Sequence, residues 1–222
     1  MMKKNNRILE YIDVYMKLLE LFAGTGSVGN VARLMGMEVV SLDRDMDADI
    51  KIDIMDWDYK TAFQPGHFDI IWASPPCTEY SAAKTIGTRD IEGSNKVVQR
   101  TIDIINYLQP TWWMMENPQS GKLKLQPMMQ DFLFYDVDYC KYGMNYRKRT
   151  RLWTNFDKWI PRPLCKRDCN SMEPGGKRHL EVAQRGPRHG DKIKHKVTEL
   201  YKVPSSLIRE ILVKMIIVDI MR

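Results

Sequence analysis

Apolar and polar segments alternate along the first two thirds of the chain in a way that predicts strands and helices in turn. Two segments, 28–34 and 96–108, have the apolar spacing of amphipathic helices. Short apolar runs of the length of buried strands occupy 18–22, 38–42, 67–73 and 111–115. Because strands that alternate with helices form parallel sheets, we expect an α/β fold with a mostly parallel sheet and helices on both faces.

The pattern changes after residue 158. The stretch 159–191 is rich in Pro, Gly and charged residues and lacks apolar periodicity, which predicts a small irregular region. Regular structure resumes near Pro204 and Ser205, which suit a helix start. The expected organisation is a catalytic domain over 1–157, a basic recognition region over 158–199 and a C-terminal helix over 200–222 that returns to the domain.

Composition limits the class of protein. A chain of 222 residues with 44% hydrophobic and 28% charged residues is long enough for one main domain. It contains no apolar run of the length that a membrane span needs, so we expect no membrane partner. Charged residues interrupt the apolar N-terminal stretch, and four Cys are too few for a disulfide framework; both features indicate a cytoplasmic protein.

Positive charge is concentrated in one part of the chain. The net charge is +6, and Lys and Arg crowd the segment 141–196 while 38–58 is acidic. A localised basic face suits a polyanion, because each phosphate contact releases condensed counterions. A solvated charged surface is the alternative.

A glycine-rich turn follows the first predicted strand. Gly24 and Gly26 allow close backbone approach to a ligand, and the helix that follows offers unpaired N–H groups. Asp43, at the end of the second strand, can accept hydrogen bonds from ribose hydroxyls. The combination predicts a nucleoside-containing cofactor, with a purely structural turn as the alternative.

Two strand ends carry candidate reacting groups. Cys77 follows a buried strand and two prolines, so its thiol could be presented as a nucleophile at the carboxyl edge of the sheet. Glu116 ends the next apolar strand and could supply a proton. Alone, such a Cys is more often a small buried hydrophobe and such a Glu is more often solvated; their coincidence favours the catalytic interpretation.

Two further groups of residues suggest binding. Arg149 and Arg151 alternate, so in an extended segment both face one side and suit phosphate or base-edge recognition; a charged edge strand is the alternative. Cys165, Cys169 and His179 could hold a zinc ion, with His189 or His195 as further candidates. Because Cys-x3-Cys is looser than the usual ligand spacing, a pair of free thiols is the favoured interpretation of the cysteines.

In order and spacing, four segments together resemble the DNA cytosine-5 methyltransferase family. LELFAGTGSVG is similar to its cofactor motif, SPPCTEYS to its nucleophile motif, MENP to its glutamate motif and YRKRTRLW to its arginine motif. The resemblance covers about 18–157 and, weakly, 200–212. This sequence departs from the family pattern at Thr78, Pro118 and Arg147, and the last family motif is reduced to Tyr201-Lys202-Val203-Pro204.

The resemblance implies a Rossmann-like fold that binds S-adenosyl-L-methionine. Asp43 would bind the ribose hydroxyls, Asp53 would accept from the adenine amino group, and Arg44 would lie beside the adenine. The remaining cofactor-binding candidates are Phe22, Ala23, Gly24, Thr25, Gly26, Ile54 and Pro76. Double-stranded DNA is the expected partner of a monomeric enzyme, with target recognition in the basic region 162–196, which includes Arg185, Arg188 and Lys192.

The implied reaction methylates carbon 5 of a cytosine that has left the duplex. Cys77 would attack carbon 6, Glu116 would bind ring nitrogen 3, and Arg151 with Arg149 would hold the cytosine carbonyl. The alternatives are the same chemistry on tRNA or another RNA, and a catalytically silent relative that binds DNA; retention of Cys77 and Glu116 argues against the latter. Amino-methylating enzymes place an aromatic residue where this chain has Cys77, so a covalent thiol mechanism fits better.

Overall fold

In the computed structural model, residues 16–82, 84, 86–184 and 195–222 are described. Seven strands form one sheet in the order β3-β2-β1-β4-β5-β7-β6. Pairing is parallel from β3 to β5, whereas β7 runs antiparallel to both β5 and β6. The strands are β1 Lys17–Leu21, β2 Glu38–Asp43, β3 Ile50–Lys51, β4 Ile70–Ala73, β5 Trp112–Pro118, β6 Phe134–Asp138 and β7 Arg149–Thr154.

Five α-helices accompany the sheet in the described part of the chain. They are α1 Ser27–Leu34, α2 Tyr59–Ala62, α3 Ile91–Leu108, α4 Val197–Tyr201 and α5 Ser205–Ile220. The side chain of Asp90 caps α3 by accepting from the amide of Gly93 at 2.7 Å. The helix ends at Leu108, and the next residue, Gln109, caps it with a left-handed backbone conformation of φ 48°.

The sheet separates two apolar cores. Neighbouring residues of a strand face opposite sides, so Leu18 and Ile70 belong to one core and Leu19 and Ile71 to the other. Helices α1 and α5 cover the first core, and α3 covers the second. All four residues of β4 are buried, as expected for a central parallel strand with both faces covered.

The structure confirms the predicted α/β class, the first helix, the C-terminal helix and the four predicted strands, which are β1, β2, β4 and β5. Helix α3 begins at Ile91, five residues before the predicted start. The apolar pattern did not indicate β3, α2 or β6. The alternative that the segment containing Arg149 is a charged edge strand is wrong, because β7 lies between β5 and β6 and the edge position belongs to β6.

Residues 155–184 carry little regular structure, in agreement with the predicted irregular region. A single β-bridge between Met172 and His179 closes a short hairpin there. Among the side chains described from 161 to 184, Cys165 and Ser171 alone are buried. The predicted DNA contacts Arg185, Arg188 and Lys192, the candidate ligand His189 and the N-terminal stretch 1–15 lie outside the described residues. No helix in the described ranges is long and apolar enough to cross a membrane.

Candidate active site

A cavity of about 390 Å³ opens at the carboxyl ends of the parallel strands. In α/β proteins this edge is where ligands bind, because the loops that follow the strands converge there. The cavity extends from the glycine-rich turn after β1 to the loop after β4 and the end of β5. Its lining includes Phe22, Asp43, Asp53, Cys77, Glu116, Asn117, Lys148 and Tyr201.

The glycine-rich turn is held in an unusual backbone conformation. Phe22, Gly24 and Gly26 all have positive φ values, of 59°, 55° and 67°. Glycine adopts this conformation without strain, and a Cβ at Gly26 would also approach Asn30 Nδ2 to 3.2 Å. The turn therefore exposes backbone groups to the cavity, as close binding of a cofactor requires.

Asp43 ties the turn to the end of β2. Its Oδ2 accepts from the amide of Gly24 at 2.8 Å, and its Oδ1 accepts from the amides of Asp45 and Met46 at 2.9 and 2.8 Å. A carboxylate has about four acceptor positions. Asp43 thus organises two loops and retains capacity for a ligand hydroxyl in the cavity.

Glu20 also lines the cavity, although sequence analysis did not select it. It is 3% exposed, and its two carboxylate oxygens accept from the amides of Val28 and Gly29 at 3.0 and 2.8 Å. These bonds satisfy free N–H groups in the first turn of α1 and fix that helix against the glycine turn. Burial raises the pKa of Glu20 to about 7, although the two amides and Arg33 oppose the shift. The sequence feature that could have indicated Glu20 is its position inside the segment LELFAG.

Asp53 and Arg44 form the far end of the cavity. A guanidinium nitrogen of Arg44 lies 3.3 Å from Oδ2 of Asp53, and Oδ1 of Asp53 accepts from the amide of Met55 at 2.9 Å. Arg44 also pairs with Asp45. Ile52 and Ile54 add apolar surface beside these groups. This end can accommodate a planar base with an amino group near Asp53.

Cys77 lies half-buried on the loop that follows β4. Burial raises the pKa of its thiol, the carboxylate of Glu116 raises it further, and Lys148 opposes both effects. The loop is fastened to β5, because Asn117 Nδ2 donates to the carbonyl of Pro75 at 2.9 Å. Without a substrate the thiol is therefore mainly protonated near neutral pH, in a fixed position beside Glu116.

Glu116 is buried and held by its neighbours. Tyr139 donates its hydroxyl to Oε1 of Glu116 at 2.8 Å, and Lys148 Nζ lies 3.8 Å from the same oxygen. Burial, and then the carboxylate, raise the pKa of Tyr139 well above its usual value, so the hydroxyl stays a donor. Lys148 also lies over the Tyr139 ring at 5.1 Å and donates to the carbonyl of Leu200 at 3.0 Å.

The structure does not bring Arg149 and Arg151 to this cavity. The two share one face of β7, as predicted, but Arg149 forms a bidentate pair with Asp138 and Arg151 with Asp136 across the β6–β7 ladder. Glu116 lies opposite Leu152 of β7. Because side chains alternate along a strand, Leu152 and Thr150 share one face of β7, and Arg149 and Arg151 lie on the other face. The positively charged residue of this motif that lines the cavity is Lys148, which sequence analysis passed over.

The remaining candidates lie where the sequence placed them. Of the ten predicted cofactor-binding residues, all except Gly26 line the cavity, and Gly26 shapes the turn next to it. The C-terminal segment also reaches the cavity, through Tyr201 and Val203. In the sequence, Val203-Pro204 was a weak indication that this segment belongs to the site. Packing of α5 against α1 brings the segment to the cavity.

The cavity suits a cofactor that joins a nucleoside to an amino acid. Two carboxylates, Asp43 and Asp53, can accept from ribose hydroxyls and a base amino group, and apolar side chains flank them. The glycine turn leads from there toward Cys77. A site that joins such a pocket to a thiol and a buried carboxylate defines an α/β group-transfer enzyme.

Comparison with known proteins identifies the family. Residues 16–124 match the model of the C-5 cytosine-specific DNA methylases. Over 216 residues the chain is 35% identical to the Probable DNA (cytosine-5)-methyltransferase of Frog virus 3, an alignment that covers 89% of this chain and 99% of that protein. The chain therefore belongs to the DNA cytosine-5 methyltransferase family, a family of S-adenosylmethionine-dependent enzymes.

Two further proteins are similar to part of the chain. The type II methyltransferase M.HindV of Haemophilus influenzae is 26% identical over 149 residues, which cover 58% of this chain and 45% of that protein. The crystal structure of S. pombe Dnmt2 methyltransferase is 16% identical and superposes with a TM-score of 0.46, covering 66% of this chain and 53% of that one.

Proposed function

We propose that this protein transfers a methyl group from S-adenosyl-L-methionine to carbon 5 of cytosine in double-stranded DNA through a covalent adduct with Cys77. The observation that carries the proposal is that the glycine turn, Asp43, Cys77 and Glu116 line one cavity. Membership of the DNA cytosine-5 methyltransferase family supports DNA as the substrate.

The cofactor end of the cavity is assigned from its donors and acceptors. Asp43 accepts from the ribose hydroxyls and Asp53 from the adenine amino group, with Arg44 and Ile54 beside the base. Phe22 and Gly24 shape the pocket for the ribose and the methionine part. When bound, S-adenosyl-L-methionine supplies an electrophilic methyl group on a positively charged sulfur.

The position of Cys77 requires that the target base leave the duplex. A thiol half-buried in a cavity cannot reach a stacked base, and extrusion of one base costs a few kcal/mol, which contacts in the pocket offset. Glu116 and Lys148 then meet the base from the same wall of the cavity. Because Arg149 and Arg151 pair with Asp138 and Asp136 and do not line the cavity, Lys148 is the proposed partner of the cytosine carbonyl.

The chemistry follows from these contacts. The Cys77 thiol gives up its proton to solvent, and the thiolate adds to carbon 6 while Glu116 hydrogen-bonds ring nitrogen 3. The electron pair displaced by this addition makes carbon 5 nucleophilic, so that it would take the methyl group from the cofactor sulfur, where the electron pair of the broken bond remains. Loss of the carbon 5 proton to solvent restores the ring double bond and expels Cys77 as the thiolate.

Two measurements test the proposal. Duplex DNA and tRNA are each incubated with cofactor labelled in its methyl group, and we expect label in DNA at carbon 5 of cytosine; transfer to tRNA alone would overturn the DNA assignment. DNA containing 5-fluorocytosine should form a denaturation-resistant adduct with the wild-type protein, because fluorine cannot leave as a proton. Cys77→Ser should bind cofactor normally and form no adduct, and an adduct in that variant would contradict the role of Cys77.

A further inference from the structure

Four metal-binding side chains come together outside the active site. The sulfurs of Cys140, Cys165 and Cys169 and a ring nitrogen of His179 all lie within 4.8 Å of one another. Cys140 and Cys165 are buried, and the other two are half-buried. None of the three thiols is in a disulfide. The sequence had suggested Cys165, Cys169 and His179, and the structure adds Cys140, which lies 25 residues before Cys165.

The spacing of the cluster matches the dimensions of a zinc site. Zn–S distances of about 2.3 Å and a Zn–N distance of about 2.0 Å in a tetrahedron put sulfur and nitrogen ligands about 3.5 Å apart. The measured distance from Cys165 Sγ to His179 Nε2 is 3.5 Å. The other pairs lie within 4.8 Å, so they require a contraction of at most about 1 Å for sulfur–sulfur pairs and about 1.3 Å for sulfur–nitrogen pairs to reach tetrahedral separations.

Three of the four ligands are held by defined features of the backbone. Cys140 lies in the 3-10 helix Tyr139–Tyr142 that follows β6. Cys165 is fixed by its amide, which donates to Oδ2 of Asp138 at 2.9 Å. The same carboxylate receives the guanidinium of Arg149, so this arginine positions a cluster residue. His179 is carried by the short hairpin that its bridge to Met172 closes.

The surrounding segment has little apolar burial to hold it in place. From 161 to 184, the only side chains that the structure buries are Cys165, a member of the cluster, and Ser171. A segment of this length with so little apolar burial cannot offset its loss of conformational entropy by packing alone. Coordination by four side chains would supply the missing stabilisation.

We propose that Cys140, Cys165, Cys169 and His179 bind one zinc ion that fastens the irregular region to the catalytic domain. Four protein ligands close a tetrahedral site, so the ion is structural and leaves no position for a substrate. Binding releases the three thiol protons and leaves three thiolates and one neutral imidazole on the metal. Three ligands come from the irregular region and Cys140 from the sheet domain, which makes the ion a cross-link between them.

His195 is not a ligand. Its ring nitrogens lie 3.3 and 3.8 Å from carboxylate oxygens of Glu181 and Glu199, and its ring packs edge-on against Tyr146. This histidine instead connects the end of the described irregular region to the start of α4.

Metal analysis of untagged protein purified without chelator tests the site. We expect about one zinc per chain in the wild type, and a loss of most of it in Cys165→Ser and in His179→Ala. Cys77→Ser is the matched control, because it removes a cysteine outside the cluster and should retain the zinc. Zinc far below one per chain in folded wild-type protein, with all four thiols freely titratable, would overturn the proposal, as would iron accompanied by sulfide.

Two further measurements cover the case in which the variants fail to fold. Cobalt(II) added to chelator-treated wild-type protein should give the visible and near-ultraviolet bands of a tetrahedral thiolate site; octahedral cobalt spectra would contradict the assignment. His179→Cys should keep the metal, because four thiolates also form a closed zinc site. Cofactor binding at the glycine turn is measured in parallel, so that failure of the zinc proposal is distinguishable from failure of the proposed function.

Discussion

The side-chain amide of Asn117 donates to the carbonyl of Pro75 at 2.9 Å and joins the end of β5 to the loop that presents Cys77. Asn117 is 1% exposed, so this bond is shielded from water. It is the direct link between the strand that carries Glu116 and the loop that carries the thiol. The proposed addition to a base requires the Cys77 thiol and Glu116 at fixed positions relative to each other. Loss of this bond should therefore affect catalysis as well as stability.

Asn117→Ala should therefore lower kcat roughly tenfold to a hundredfold, with little change in cofactor affinity. It should also destabilise the protein by about 1–3 kcal/mol, since the Pro75 carbonyl loses its buried donor. Asn155→Ala is the control: Asn155 bonds the backbone of Trp113 and Thr111 at the other end of β5. Steady-state kinetics and urea unfolding of both variants check this. An equal loss of kcat in the control would show that strand stability, and not loop position, is responsible.

In steady-state kinetics, Tyr139→Phe should lower kcat roughly tenfold while cofactor affinity stays unchanged. The hydroxyl donates to Oε1 of Glu116 at 2.8 Å and fixes the position of that carboxyl group, so its removal leaves Glu116 free to turn away from the base. Tyr142→Phe is the matched control. It lies in the same 3-10 helix, but its hydroxyl accepts from the amide of Arg162 outside the cavity. An unchanged kcat in Tyr139→Phe would contradict the proposed support of Glu116.

Lys148→Met should reduce methyl transfer more than Arg151→Met does. Lys148 is the residue of this motif that reaches the cavity, and it opposes the upward shift of the Cys77 pKa. Its removal should raise that pKa further, so that alkylation of Cys77 by iodoacetamide requires higher pH. Peptide-resolved mass spectrometry measures this separately from the other thiols. A larger catalytic defect in Arg151→Met, whose guanidinium pairs with Asp136, would restore the assignment that the sequence suggested.

Glu20 should make folding stability fall as pH rises from about 4.5 to about 7. Its ordinary pKa is 4.5 and its pKa in the folded protein is about 7, so the folded state holds the proton more tightly in that interval. The loss amounts to about 3 kcal/mol once pH exceeds both values. In Glu20→Gln this pH dependence should disappear, while Glu38→Gln, a change of an exposed carboxylate on β2, should keep it. Unfolding by urea at several pH values measures the slopes, and identical slopes in all three proteins would disprove the shift.

The irregular region should contribute phosphate contacts. Lys177 and Arg178 are exposed in the hairpin that ends at His179, and each phosphate contact adds about 0.9 to the slope of log K against log salt. Replacing both by Gln should weaken DNA binding and reduce that slope by about 2. Lys214→Gln on α5 is a control with an exposed lysine outside this region. Unchanged affinity and slope in the double variant would place the DNA-binding face elsewhere.

Short-range features of the site could be predicted from the sequence. The turn around Gly24, the strand-end positions of Cys77 and Glu116, and the alternation of Arg149 and Arg151 are set by residues that are neighbours in the chain. Each depends on local backbone preference or on a two-residue period. The structure places all of these features as expected.

The sequence by itself determined the α/β class, the glycine-rich turn and the strand-end positions of Cys77 and Glu116, because backbone freedom at glycine and burial of apolar strands act over a few residues. Only the tertiary structure decided which cation faces Cys77, which tyrosine holds Glu116 and which fourth residue completes the cysteine cluster. The antiparallel pairing of β7 with β5 and β6 places Lys148, Tyr139 and Cys140 in these positions. The register of this pairing is fixed by packing between segments that are far apart in the chain, so no local sequence pattern predicts it.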